Sequence, residues 1–126
     1  MPLHVKAWGL TQNMKGVRMF NHHKLRCYML SLAIAKRMPT LTRGWPYYLS
    51  DQVRRALSSV VLNISEGNGR EGIKDRRRFF NIACASAKES ASCFDIALAY
   101  HLISQGDYDR VQDELLQVVK MVSKLS

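Results

Sequence analysis

Residues 48–66 read YLSDQVRRALSSVVLNISE, and this stretch decides the fold class. Val53, Ala56, Leu57, Val60, Val61 and Ile64 stand at i, i+3, i+4, i+7, i+8 and i+11. That recurrence lines apolar side chains along one face of an α-helix. A strand would need sustained alternation at period two, which no part of the chain shows. The helix is expected over 48–66, and Gly67-Asn68-Gly69 is expected to end it, because glycine readily takes the left-handed conformation of a helix C-terminus.

Toward the N-terminus, residues 39–46 (PTLTRGWP) carry two prolines and a glycine and read as a connection. Before them a first helix is expected over 21–38. Asn21 is placed to cap it, Leu25, Tyr28, Met29, Leu32, Ala33 and Ala35 give the apolar face, and Pro39 is expected to stop it. Residues 1–20 contain Gly9, Asn13 and Gly16 without sustained periodicity, and read as a loose basic extension. Met19 offers an internal start, which would make residues 1–18 an upstream addition.

Toward the C-terminus, a long third helix is expected over 73–104. It is apolar on two sides. Phe79, Ile82, Ala83, Ser86, Ser90, Cys93, Ala97 and Tyr100 form one stripe; Phe80, Cys84, Ala87, Ala91, Phe94, Leu98 and Leu102 form another. A four-helix monomer covers one face of each helix, so the second apolar side points to self-association, against the simpler reading of a helix central in the monomer. A fourth helix over 108–125, with Asp107 as its cap, repeats Val111, Leu115, Val118, Val122 and Leu125 at steps of four, three, four and three. Four helices with short connections predict an all-α, antiparallel up-down-up-down bundle occupying one domain, residues 21–126.

The chain has 126 residues, 47% of them hydrophobic and 23% charged, the composition of one globular domain able to bury a core. Its formal net charge is +9, unevenly spread: +8 over residues 1–50, +4 over 51–88 and −3 over 89–126. A net charge this high on so short a chain exceeds what solubility requires and points to a polyanionic partner, nucleic acid first. The candidate electrostatic contacts are Lys24, Arg26, Lys36, Arg37, Arg43, Arg54, Arg70, Lys74, Arg76, Arg77 and Arg78. The group from Arg70 to Arg78 begins the third helix. Cations there oppose the helix dipole at a cost of about 0.3–1 kcal/mol each, which suggests a purpose other than stability. Few aromatic residues accompany them, so base stacking is not signalled.

Cys27, Cys84 and Cys93 are odd in number and sit among apolar neighbours, which favours reduced core thiols over a disulfide framework. His22-His23 followed by Cys27 lacks a second ligand pair, so no metal is expected. The N-terminus carries no signal-peptide apolar stretch and the longest apolar run is far too short to span a membrane, so a cytoplasmic protein is expected.

A longer pattern crosses the second and third helices. Gln52-x-x-Arg55-Ala56-x-x-Ser59-Val60-x-x-Asn63-Ile64-x-Glu66-Gly67-x-Gly69-Arg70, then Phe79-Phe80-x-Ile82-Ala83-x-Ala85-Ser86-x-x-Glu89 and Phe94-x-Ile96-Ala97, resembles the signature of a bacterial four-helix-bundle family, the 23S rRNA intervening-sequence proteins. The resemblance covers about residues 21–126. It departs at Ala85, where the family usually has glycine, and at Arg76-Arg77-Arg78, which is more basic than usual. The resemblance implies a bundle assembled as a homo-oligomeric ring, typically a pentamer, with no catalytic activity and no cofactor. Some relatives are accessory factors of diversity-generating retroelements, where they work with a reverse transcriptase and bind RNA or DNA through a basic surface. Others are encoded inside intervening sequences of ribosomal RNA genes.

Gln52, Arg55, Ser59, Asn63 and Glu66 form one polar row on the second helix. No histidine lies near it in sequence, so acid–base catalysis is not supported and a register-fixing network is favoured. No phosphate-binding loop, dinucleotide fingerprint, zinc-protease or serine-hydrolase motif occurs. The expectation is therefore a non-enzymatic, oligomeric nucleic-acid-binding bundle. The rival is an oligomeric protein-interaction scaffold, associated with ribosomes or rRNA intervening sequences, that does not touch nucleic acid.

Overall fold

The computed structural model describes His22 and residues 25–125. The expected extension over 1–20, the Asn21 cap and Lys24 lie outside the described residues. Four helices follow: α1, Arg26–Leu41; α2, Tyr47–Gly69; α3, Ile73–Ala99; and α4, Gln105–Ser123. No strand occurs among the described residues. α2 and α3 pack together most extensively, and α1 meets α2, α3 meets α4 and α4 returns to α1, which closes a square bundle. Successive neighbours joined by short connections must run antiparallel. One end of the bundle therefore gathers the start of α1, the α2–α3 connection and the end of α4, and the other gathers the α1–α2 and α3–α4 connections. At one end the indole Nε1 of Trp45, before α2, donates to the Leu102 carbonyl, after α3, at 3.2 Å.

The periodic stripes lead directly to the core. Val53, Ala56, Leu57, Val60, Val61 and Ile64 of α2 are all buried, as are Val111, Leu115, Val118 and Val122 of α4. Phe80 and Phe94 of α3 fill the centre, each contributing about 1.5–3 kcal/mol through burial. On α1 the deepest residues include Leu30 and Ile34, which lie outside the expected apolar face, whereas Leu32 and Ala35 are half-buried.

Helix ends depart from expectation for identifiable reasons. Pro39 lies inside α1 and does not stop it. The last turn is pinned beyond it: Leu41 and Trp45 are buried in the core, and the N–H and hydroxyl of Thr42 both donate to the Met38 carbonyl, at 2.9 and 2.7 Å. That packing outweighs the missing proline N–H. α2 runs through Gly67-Asn68-Gly69 instead of ending there. Gly67 is buried, and a Cβ on it would stand 2.7 Å from Cε1 of Phe80. Its glycine serves close approach of α2 to the Phe80 ring. α3 ends at Ala99, five residues short of the expected 104. His101 takes the left-handed conformation at φ 58°, with Leu102 N–H donating to Ala97 and His101 N–H to Leu98. This is the closing motif usually built on glycine. Ser104, not Asp107, caps α4, accepting the Asp107 N–H at 3.2 Å.

Candidate nucleic-acid interface

The start of α1, the α2–α3 connection and the end of α4 share one end of the bundle. Ile73, Arg76 and Arg77 line a small depression of about 250 Å³ together with Leu125. Among the described residues this end holds Arg26, Arg70, Lys74, Arg76, Arg77, Arg78, Lys120 and Lys124 against Glu66, Glu71 and Asp75. The opposite end carries Asp51, Asp95, Asp107 and Asp109 against Lys36, Arg37, Arg43 and Arg110, and is close to neutral. The sequence's uneven charge thus becomes an end-to-end polarity of the folded bundle.

The basic cluster is partly engaged. Arg70 pairs with Glu66 at 3.1 Å and with Asp75 at 3.7 Å, and Arg78 pairs with Asp75 at 3.4 Å. Both guanidinium groups rest over the Phe79 ring, 4.8 and 4.6 Å from its centroid. Arg76 leans over Phe80 at 5.4 Å and donates to the carbonyls of Asn68 and Arg70, each at 3.1 Å. It satisfies carbonyls at the end of α2 that no further turn covers. Arg26, Lys74 and Arg77 are exposed and make no ion pair among the described residues. Sequence reasoning found these arginines but not Asp75 or Phe79 as their partners. The signal was present, since Asp75, Arg78 and Phe79 stand at i, i+3 and i+4.

The remaining candidate cations lie elsewhere. Arg37 points to α4 and holds both carboxylate oxygens of Glu114, at 2.7 and 2.9 Å, with both side chains largely buried. Glu114 Oε1 is fully enclosed and is held by charge rather than by an aligned hydrogen bond. Arg37 therefore joins α1 to α4 and is not presented at the surface for a ligand. Arg54 donates to Thr42 Oγ1 at 3.3 Å. Arg43 sits in the exposed α1–α2 connection, at the far end from the cluster, and Lys36 is exposed on α1.

The polar row of α2 divides. Asn63 Nδ2 donates to the Ser59 carbonyl at 2.7 Å and to Ser59 Oγ at 3.0 Å, and Ser59 Oγ meets Ser86 Oγ of α3 at 2.7 Å. These three residues form a polar knot in the α2–α3 seam. Glu66 turns to Arg70, and Arg55 reaches only Asp51, at 3.9 Å, with its side chain 81% exposed. An open groove of about 650 Å³ runs beside the knot, bordered by Tyr48, Gln52, Arg55 and Glu89. Leu62 on α2, Ile82 and Ile96 on α3, and Tyr100 just after it are exposed along this face, at 64, 39, 41 and 57%. The sequence predicts α3 to be apolar on two sides. One is buried in the monomer, and part of the other remains uncovered.

Burial pushes the Cys27 and Cys93 thiols above their ordinary range. No group of three or more metal-ligating side chains occurs among the described residues. No helix among them is long and apolar enough to cross a membrane.

Comparison with known proteins bears on this arrangement. The sequence profile described as "23S rRNA-intervening sequence protein" matches residues 23–124. A solved structure of similar shape is that of a protein of unknown function from the S23 ribosomal protein family of Bacteroides thetaiotaomicron VPI-5482. It is 20% identical, covers 79% of this chain and 93% of its own, and superposes with a TM-score of 0.73. At that identity the likeness speaks to the fold. None of the curated proteins compared matches the chain.

Proposed function

This chain belongs to the 23S rRNA-intervening sequence protein family, and from that premise we propose that it is a non-enzymatic, nucleic-acid-binding bundle of the cytoplasm that works as a homo-oligomer. The observation that carries the reading is the concentration of cations at one end of the bundle, eight against three carboxylates, while charges at the other end balance. Nothing in the folding of α2 or α3 requires Lys74 and Arg77, which are exposed and make no ion pair among the described residues. Cations arranged this way bind phosphates by releasing counterions, so binding is largely independent of sequence and falls steeply with salt. RNA is the first ligand to try, in keeping with the family's description. The narrower reading is an accessory to a retroelement reverse transcriptase, which rests on the family resemblance and the high charge.

Self-association is supported by the exposed Leu62, Ile82 and Ile96 beside the α2–α3 seam. A closed ring, a pentamer by family resemblance, would repeat the basic end in every subunit and make binding multivalent. The same apolar face favours the second reading, an interaction scaffold whose partner is a protein.

A filter-binding titration against single-stranded RNA and DNA at two salt concentrations separates the readings. Binding that weakens sharply with salt supports the first. Absence of binding at low salt, or binding indifferent to salt, refutes it.

A further inference from the structure

We propose that Arg70 and Arg78, stacked over Phe79, form a clamp for a backbone phosphate of nucleic acid, and that Asp75 occupies this clamp as a resident competing anion. The inference rests on the reading of the basic end as a nucleic-acid interface and assigns its chemical centre.

Three observations carry it. First, both guanidinium groups lie over one ring, 4.8 and 4.6 Å from the Phe79 centroid. A guanidinium resting on a ring uses its face there and keeps its edge N–H groups for an anion. Its rotamers are already restricted, so less freedom is lost when an anion arrives. Second, one carboxylate reaches both arginines through different oxygens, Oδ2 to Arg70 at 3.7 Å and Oδ1 to Arg78 at 3.4 Å. A single anionic group therefore spans the pair. A phosphate has the same two-oxygen reach. Third, those distances are well beyond the roughly 2.7–2.9 Å of a strong charge-assisted bond. Asp75 is thus loosely held. It is also 42% exposed, with Arg70 at 44% and Arg78 at 64%, so a ligand reaches the same atoms without unfolding anything. Glu66, 3.1 Å from Arg70, anchors that arginine without bridging to Arg78.

The arrangement makes affinity depend on which carboxylate is removed, not on net charge alone. Glu71 is exposed in the same connection, carries the same charge and makes no ion pair among the described residues. Asp75→Asn should tighten binding roughly three- to tenfold by vacating the clamp, whereas Glu71→Gln should change it less than about twofold. Phe79→Leu leaves the charge untouched and should weaken binding roughly threefold by releasing both guanidinium groups.

The test is fluorescence anisotropy of a short single-stranded RNA, made with either a 5′-hydroxyl or a 5′-phosphate, titrated with the full chain and these variants at low salt. Circular dichroism confirms that each variant keeps its helices. The expected result is the order Asp75→Asn, then wild type with Glu71→Gln, then Phe79→Leu, with no preference for the 5′-phosphate. Equal effects of Asp75→Asn and Glu71→Gln, or no effect of Phe79→Leu, would overturn the clamp while leaving the basic end as a diffuse binding surface. A strong preference for the 5′-phosphate would overturn the assignment to backbone phosphate. Failure of both wild type and Asp75→Asn to bind would overturn the clamp and the broader reading together.

Discussion

Replacing Gly67 by alanine adds one methyl group, and the structure places it against the least yielding partner available. The new Cβ would stand 2.7 Å from Cε1 and 2.8 Å from Cδ1 of Phe80. Ordinary carbon contacts begin at about 3.5 Å, so the overlap is roughly 0.8 Å. Phe80 is 1% exposed and cannot swing outward, so α2 and α3 must separate. Overpacking of this kind costs about 1–3 kcal/mol. Alanine's better helix propensity returns up to about 1 kcal/mol in a helix interior. The net destabilisation is about 1–2 kcal/mol, a fall in Tm of roughly 4–8 °C for a domain of this size. Gly69 is the internal control. It lies two residues on in the same helix, and nothing stands within 4 Å of the position its added methyl group would take. Gly69→Ala should stabilise by up to about 1 kcal/mol, raising Tm by a few degrees. Thermal melts followed by circular dichroism measure both. In the Gly67→Ala background, Phe80→Leu should cost less than it does alone, because it relieves the overlap. If both glycine variants shifted Tm in the same direction, the close-approach account of Gly67 would be wrong.

Further outcomes follow from other contacts. Arg37→Ala should destabilise by about 2–4 kcal/mol, because it leaves the largely buried Glu114 carboxylate with only the more distant Arg110, 3.8 Å away, while the paired replacement Arg37→Met with Glu114→Leu should recover most of that loss in urea denaturation. His101→Gly should stabilise by about 0.5–1 kcal/mol, since glycine adopts the left-handed conformation without a Cβ penalty; a lower Tm would count against this. Folded-state thiol pKa values above the ordinary 9.0 mean that the unfolded chain loses these protons first. The stabilisation is therefore complete below pH 9 and declines as pH rises through it, and Cys27→Ala should flatten that decline in denaturation curves taken at several pH values.

The bundle was legible where a single periodicity decides the matter. The stripe from Val53 to Ile64 and the seam from Val111 to Val122 predict their own burial, because a helix that turns every 3.6 residues has no other way to hide them. The ends were not legible, because local signals there compete with packing. Pro39 argues for a stop, but Leu41 and Trp45 pull the last turn of α1 into the core. Gly67 reads as a terminator by composition and turns out to be a clearance for the Phe80 ring of the next helix. The candidate site was legible as a charge density. Which arginines are presented at the surface was not. Arg37 looks like any other cation until Glu114, 77 positions away, is folded against it. Arg76 likewise is spent on the backbone of its own connection.

The Trp45–Leu102 link and the basic connection between α2 and α3 lie at opposite ends of the same short rod. A rod with one positive tip experiences a torque in the field of a polyanion and arrives tip-first, its helices standing off the strand instead of lying along it. The contact area is then a cross-section about two helix diameters wide, roughly 20 Å on a side. On the binding proposed above, at about 3.4 Å per nucleotide of a helical strand, each subunit would occlude on the order of six nucleotides. Saturating a strand should consequently require far more protein per nucleotide than a side-on bundle of the same length would, a stoichiometry that titration at concentrations above Kd reads directly.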